Sequence, residues 1–325
     1  MRKIIIITIK WLSFLAVFGY AGWLVMQDDN ILEAPGKFAE KLHEGKNIAI
    51  LVFVLLLTPV NWGIEALKWK VAAHRLVPLT FKKAFISVLR GLALGFITPR
   101  SVGDYLGRVI DIPAEKRLEA VGGLAFVRIS SFFWTAVFGV AGFWVFYSAD
   151  VLSKFSLDTM IIGALVCLAL ITTGLLLRHI IVRWLEKRIK KQIVQLVRIL
   201  RFYSNKVMAK VMWLSFLRYL TFSGQFMLLL LVGSGGADIW LMFFGISATY
   251  LAKSLVVSFN FLTDIGIREV AALTFLPLAG LEAGTIVMSS LMLWMINVLL
   301  PTLVGALFLL TANLRTWKLP SSPSR

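Results

Sequence analysis

Apolar residues fill long, nearly uninterrupted stretches of this chain, and short polar segments separate them. The stretches cover 4–26, 48–67, 124–147, 157–177, 211–233 and 285–310. About 20 apolar residues let a helix cross the hydrocarbon core of a bilayer, so each stretch predicts a membrane span. Two further regions, 84–120 and 239–277, are apolar but broken by proline, glycine and charge. Such interruptions predict broken helices rather than straight spans. The stretch 4–26 follows Arg2 and Lys3 as a signal peptide would. It outruns the usual apolar core of about 7–15 residues and contains Lys10, so it reads as a first anchor.

Composition agrees with this pattern. The 325 residues are 59% hydrophobic and 16% charged, against about 45–50% and about 25% in soluble domains. That excludes a soluble globular enzyme, a disordered chain and a disulfide-stapled domain, the last also because Cys167 is the single cysteine. The expected fold class is all-α: a polytopic membrane helix bundle of about six full spans plus two re-entrant or hairpin segments. The whole of 1–325 reads as one integral membrane domain, with halves at about 1–177 and 211–310 and a short tail, 311–325.

The net charge of +17 matters through its placement. Basic residues gather at the N-terminus, over 68–83 and over 178–210, beside apolar stretches rather than on a soluble face. Nucleic acid is therefore not an expected partner. By the positive-inside rule these segments and the Arg315/Lys318 tail are cytoplasmic, while 27–47, 148–156 and 233–238 face outward. The reading is a multi-pass protein of the cell (inner) membrane with both termini in the cytoplasm. On that assignment 84–120 begins and ends inside, and 239–277 begins and ends outside. Neither makes a net crossing, which is the arrangement of an inverted repeat. Between the halves, Ile181, Trp184, Leu185, Ile189, Ile193, Leu196 and Leu200 recur at helical spacing opposite Arg183, Lys187, Lys190, Lys191, Arg198 and Arg201. This predicts one interfacial helix over 178–210.

Ionisable residues inside spans are costly and concentrate where function lies. Lys10, Arg128 and Arg218 stand within about two turns of a cytoplasmic boundary and are expected to snorkel to it. Glu65 cannot do so as readily. Lys68, three residues on, offers it a local ion pair, and a place in a substrate path is the other reading. In 84–120, Thr98 is expected to cap a new helix with Pro99 in its first turn. Arg100, Asp104 and Arg108 then form a stripe at four-residue spacing, and Gly103 and Gly107 allow a helix or a ligand to approach. In 239–277, Thr263 and Asp264 are the expected caps, followed by Gly266, Arg268 and Glu269. Asp264 and Arg268 repeat the spacing of Asp104 and Arg108. Matching interruptions in two halves point to a transporter's central site, and paired structural bridges are the alternative.

Catalysis finds little support. His43, His74 and His179 are scattered without metal-ligand spacing, and no dinucleotide or Walker phosphate loop occurs. Ser234 lies in a Gly-Ser-Gly-Gly loop with no histidine in a span to act as its base. The chain is expected not to be an enzyme, with no cofactor and no metal.

The block Thr98-Pro99-Arg100-Ser-Val-Gly103-Asp104 with Arg108, the run Gly266-Ile267-Arg268-Glu269, and Asn61-Trp62…Glu65…Lys68-Trp69 together resemble the flippase-like family named for the transmembrane region of lysylphosphatidylglycerol synthase. The resemblance covers nearly the whole chain. Asp104 stands where glutamate is more usual, and Ser258-Phe259-Asn260 stands where a proline is expected near the second block. The chain ends at Arg325 without room for the aminoacyl-transferring domain, so lysyl transfer is not expected. The resemblance implies translocation of a phospholipid or lipid-linked sugar between leaflets. Two broken helices would meet near the midplane around a polar pocket, with alternating access to either side. Arg100, Arg108 and Arg268 would bind phosphate, and Asp104 and Glu269 would hold them or take a proton. Glu65, Gly103, Asp264 and Gly266 complete the expected substrate-binding set. The competing role is a scaffold or partner subunit of a membrane glycosyltransferase or lipid synthase.

Overall fold

The computed structural model describes residues 30–98, 101–148, 157–188, 191–256 and 261–310. Among these residues there is no strand, and helices carry nearly all of the chain. In order they are α1 (Asn30–Leu42), α2 (Gly45–Ala73), α3 (Phe81–Ile97), α4 (Val102–Val109), α5 (Arg117–Ser148), α6 (Leu157–Leu176), α7 (Arg178–Arg188) and α8 (Lys191–Phe202). They continue with α9 (Asn205–Gly233), α10 (Ile239–Leu255), α11 (Phe261–Phe275), α12 (Ala283–Trp294) and α13 (Leu300–Leu310). Four helical stretches, Gly45–Ala73, Ala114–Phe146, Asn205–Gly233 and Ala283–Leu310, are long and apolar enough to cross a membrane. The apolar stretch read as 157–177 is also one continuous helix, α6. The stretch read as the first anchor, 4–26, lies outside the described residues.

A π-turn, Met295–Leu299, joins α12 to α13. Its cause is local: Pro301 brings no N–H and crowds the carbonyl four residues back, at Asn297, so the turn there widens.

Several local expectations need correction. Residues 27–47, a polar segment between two apolar stretches, contain α1, whose Ala34 and Phe38 are buried, because its apolar positions line one face against α12. The single interfacial helix expected over 178–210 is divided into α7, α8 and the start of α9. The first two pack on each other. Arg178 ties the start of α7 to the start of α9, donating from Nη2 to Asn205 Oδ1 (2.7 Å). Thr98 is the C-cap of α3, not the N-cap of the next helix, which begins at Val102 rather than at Pro99. Its hydroxyl still performs the expected chemistry, accepting from the Gly103 N–H at 2.7 Å while donating to Leu94 O at 2.8 Å. Ser101 takes the N-cap position in the left-handed region, with φ 52°. Thr263 and Asp264 do not cap either: α11 already starts at Phe261, which places both in its first turn.

The helices group into two units. Unit 1 comprises Met1–Pro59, Thr135–Leu165 and Leu220–Leu299; unit 2 comprises Val60–Trp134, Val166–Tyr219 and Leu300–Arg325. Every change of unit falls within α2, α5, α6 or α9 or at the π-turn before α13, so five helical stretches contribute to both. In contrast, α3 and α4 both belong to unit 2, and α10 and α11 both belong to unit 1.

In unit 2, α3 and α4 pack backbone to backbone. A methyl group added at Gly107 would stand 2.5 Å from the Gly91 backbone, and one at Gly103 would collide with the Leu94 carbonyl. Small residues allow such approach in apolar surroundings. Gly305 admits Leu89 in the same way where α13 lies on α3. Large side chains, among them Trp69, Phe126 and Ile199, fill the core beside them. Tyr203, between α8 and α9, donates its buried hydroxyl to Ala72 O at 2.8 Å. Burial raises the pKa of that hydroxyl, so it stays a donor. Unit 1 is held by ring contacts of Phe143 and Phe146 with Phe275, at 5.4 and 5.9 Å between centroids. Asp238 caps α10 by accepting from the Trp240 and Leu241 N–H groups.

Candidate functional site

The four-residue spacing of Asp104 and Arg108 places both on one face of α4, and that face is buried. Arg108 Nε donates to Asp104 Oδ1 at 2.9 Å. Its Nη1 reaches Glu65 Oε1 of α2 at 2.8 Å. The second Asp104 oxygen accepts from Arg128 of α5. The second Glu65 oxygen accepts from Lys68 Nζ at 2.9 Å and stands 3.4 Å from Arg218 Nε of α9. Lys68 also donates to Ser131 Oγ at 2.6 Å, and the Arg218 guanidinium carbon sits 5.3 Å from the centre of the Trp62 ring.

Six charged side chains from four helices thus form one network in unit 2. Both carboxylates are bonded through both oxygens. Two carboxylates face four cations, so the cluster carries a formal excess of two positive charges. Glu65, Lys68, Asp104 and Arg108 are at most 5% exposed, whereas Arg218 is 27% and Arg128 48% exposed. Arginine cannot shed its proton in a protein. The excess charge is therefore accessible at the Arg128 and Arg218 edge and sealed elsewhere.

A second polar set lies in unit 1. Arg268 and Glu269 of α11 are buried, with Nη2 of the arginine 3.3 Å from Glu269 Oε1 and donating to Ser290 O of α12 at 3.0 Å. Arg268 Nε, Glu269 Oε2 and Ser290 Oγ have no hydrogen-bond partner. Gly266, one turn before Glu269, is buried too.

Of the expected substrate-binding set, Glu65, Gly103, Asp104 and Arg108 fall in unit 2, and Gly266, Arg268 and Glu269 in unit 1. Arg100 and the Asp264 side chain lie outside the described residues. At Gly103 the approaching group is a helix: the α3 backbone occupies the space a ligand would need. Arg128 and Arg218, expected to snorkel to an interface, also reach the site: Arg128 donates to Asp104, and Arg218 pairs with Glu65 across 3.4 Å. A sequence signal for this existed, because Arg128 and Ser131 share one face of α5 and both point to the cluster. Lys68 is the expected ion-pair partner of Glu65, and the pairing belongs to the site rather than competing with it. Among the described residues no group of three or more His, Cys, Asp or Glu side chains could hold a metal ion. No protein-family model, curated protein or solved structure matches the chain.

Proposed function

We propose that this protein is a lipid flippase: a multi-pass membrane transporter, not an enzyme, that moves an anionic head group between leaflets by alternating access. The observation that carries the reading is the buried network of unit 2, with two uncompensated positive charges and two partly exposed arginines. Excess charge away from water is costly unless a counter-charge completes it. The free edges of two guanidinium groups suit phosphate oxygens, which they bind in fork geometry. A phospholipid or lipid-linked sugar meets this demand, with its phosphate at Arg128 and Arg218 and its acyl tails left in the bilayer.

The reading extends the motif resemblance to the flippase-like family, which rests on Glu65, Lys68, Gly103, Asp104 and Arg108 in the first half and Gly266, Arg268 and Glu269 in the second. An inverted repeat with about six spans, in the inner membrane and with cytoplasmic termini, fits the grouping of α3–α4 in one unit and α10–α11 in the other. Five helical stretches then run through both units while each broken segment stays within one.

Reconstituted protein tests the reading through fluorescent phosphatidylglycerol and a neutral fluorescent diacylglycerol, compared for wild type, Arg128→Gln and Arg218→Gln. The expected result is that the anionic lipid crosses faster with wild type than with either folded variant, and that the neutral lipid is indifferent to the substitutions. Equal rates for all three proteins with the anionic lipid would remove the head-group site. Translocation that needs an added synthase or glycosyltransferase would favour the partner-subunit role.

A further inference from the structure

Three buried carboxylates occupy the two polar sets, and their surroundings are unequal. Glu65 and Asp104 each have both oxygens engaged by cations. Glu269 has one oxygen 3.3 Å from Arg268 and the other without a formed hydrogen bond, with the Ser290 side chain, whose hydroxyl likewise makes none, as its polar neighbour. An ionised carboxylate oxygen left bare in a buried site is unstable, and a proton is the smallest ligand that removes the charge. The charged residues on α11 and the elements packed against it are few. They are Asp264 and Arg268 on α11, Lys253 on α10 and Glu282 just before α12, with Tyr250 on α10 as a further titratable group; α5, whose Phe143 and Phe146 touch Phe275, carries Arg117, Glu119 and Arg128 only in its unit 2 part. The turn Leu276–Ala279 and α12 itself bring none.

We infer that Glu269 is a proton-binding site that couples transport to the transmembrane proton gradient, an inference that rests on the flippase reading for its transport half. With Glu269 ionised, Arg268 is neutralised by its neighbour. When a proton binds Oε2, the O–H can be offered to Ser290 Oγ, and Arg268 loses the counter-charge that Glu269 gave it. Arg268 cannot relieve this by deprotonation. It then accepts the anionic head group as a second station besides Arg128 and Arg218, with Nε as the donor not yet used. Release of the proton restores the Arg268–Glu269 pair and expels the anion. One proton therefore accompanies one phosphate charge.

Proton binding is testable without any transport. At about pH 7 exposed glutamates, with pKa near 4.3, are ionised, so infrared spectra of the wild type in an ester-free alkyl-glycoside detergent report buried neutral acids in the carboxyl carbonyl region. A neutral-carboxyl carbonyl band that moves on exchange into D2O, is lost in Glu269→Gln and is displaced in Glu269→Asp is the expected result. No such band in wild type, or an undiminished band in folded Glu269→Gln, overturns the proton site. In vesicles with an imposed pH gradient, wild-type translocation of fluorescent phosphatidylglycerol follows the direction and size of the gradient. Glu269→Gln loses that dependence, being fixed in the neutral state. Wild-type translocation indifferent to the gradient overturns the coupling and leaves the flippase reading standing. The expected band without lipid movement by any of the proteins supports the proton site and removes the flippase reading.

Discussion

Glu65 and Glu269 are both carboxylates buried beside an arginine, yet one is surrounded by fixed cations and the other by a single one. Around Glu65, Lys68, Arg108 and Arg218 converge from three helices, and Asp104 draws Arg128 into the same network. Around Glu269 there are Arg268, which also donates to Ser290 O, and the Ser290 side chain. In the first region the carboxylate is indispensable because removing it leaves charges that cannot leave. In the second, the carboxylate can escape a lost partner by taking up a proton. A buried ion pair acts as a rigid fixture or as a switch according to whether its members have an alternative to ionisation.

The sharpest way to break that contrast is Glu65→Gln. One remaining carboxylate would then face four cations, and removing one partner from a buried pair costs about 3–5 kcal/mol. Thermal unfolding in detergent should show a large loss of stability. Lys68 alone among these cations can give up its proton, so the loss should shrink as pH rises. Arg268→Gln should cost less, about 1–3 kcal/mol for the polar groups left unmatched. Its loss should shrink in the opposite direction, as pH falls and Glu269 is neutralised. Equal penalties, or the same sign of pH dependence in both variants, would dissolve the distinction between fixture and switch.

Individual glycines differ in how tightly they are held. Gly107→Ala forces a methyl group against the Gly91 backbone, and overpacking of this kind costs about 1–3 kcal/mol. Because the displaced helix carries Asp104 and Arg108, phosphatidylglycerol translocation should fall with it. Gly224→Ala in α9 meets nothing within 4 Å. It should leave unfolding unchanged or raise stability by up to about 1 kcal/mol, the helix-propensity gain of alanine over glycine. A Gly107→Ala protein as stable as Gly224→Ala would mean that the α3–α4 contact is looser than its geometry.

Legibility in the sequence followed the range of the interaction. The long apolar stretches and the interruptions at 98–101 and after 255 were visible because they depend on neighbours a few residues away. The Asp104–Arg108 and Glu65–Lys68 pairs were visible for the same reason. Arg128 and Arg218 could not be placed in the network because their partners lie 24 and 153 positions away along the chain, on other helices. Their nearness to a boundary was local information, and it said nothing of those partners. Thr98 shows an intermediate case: a hydroxyl serving the first turn of the next helix was predictable, but Ser101 took the capping position.

Hydrophobic length and periodicity alone determined that the described residues are helical and marked the four stretches among them that are long and apolar enough to cross a membrane. They also marked the two segments that break, since backbone groups in an apolar medium must be satisfied within a helix and only particular residues interrupt one. What only the tertiary structure decided is the charge balance of the site. The excess of two positive charges exists because four helices bring their ionisable side chains to one place, and Coulomb energy depends on distance in space rather than along the chain.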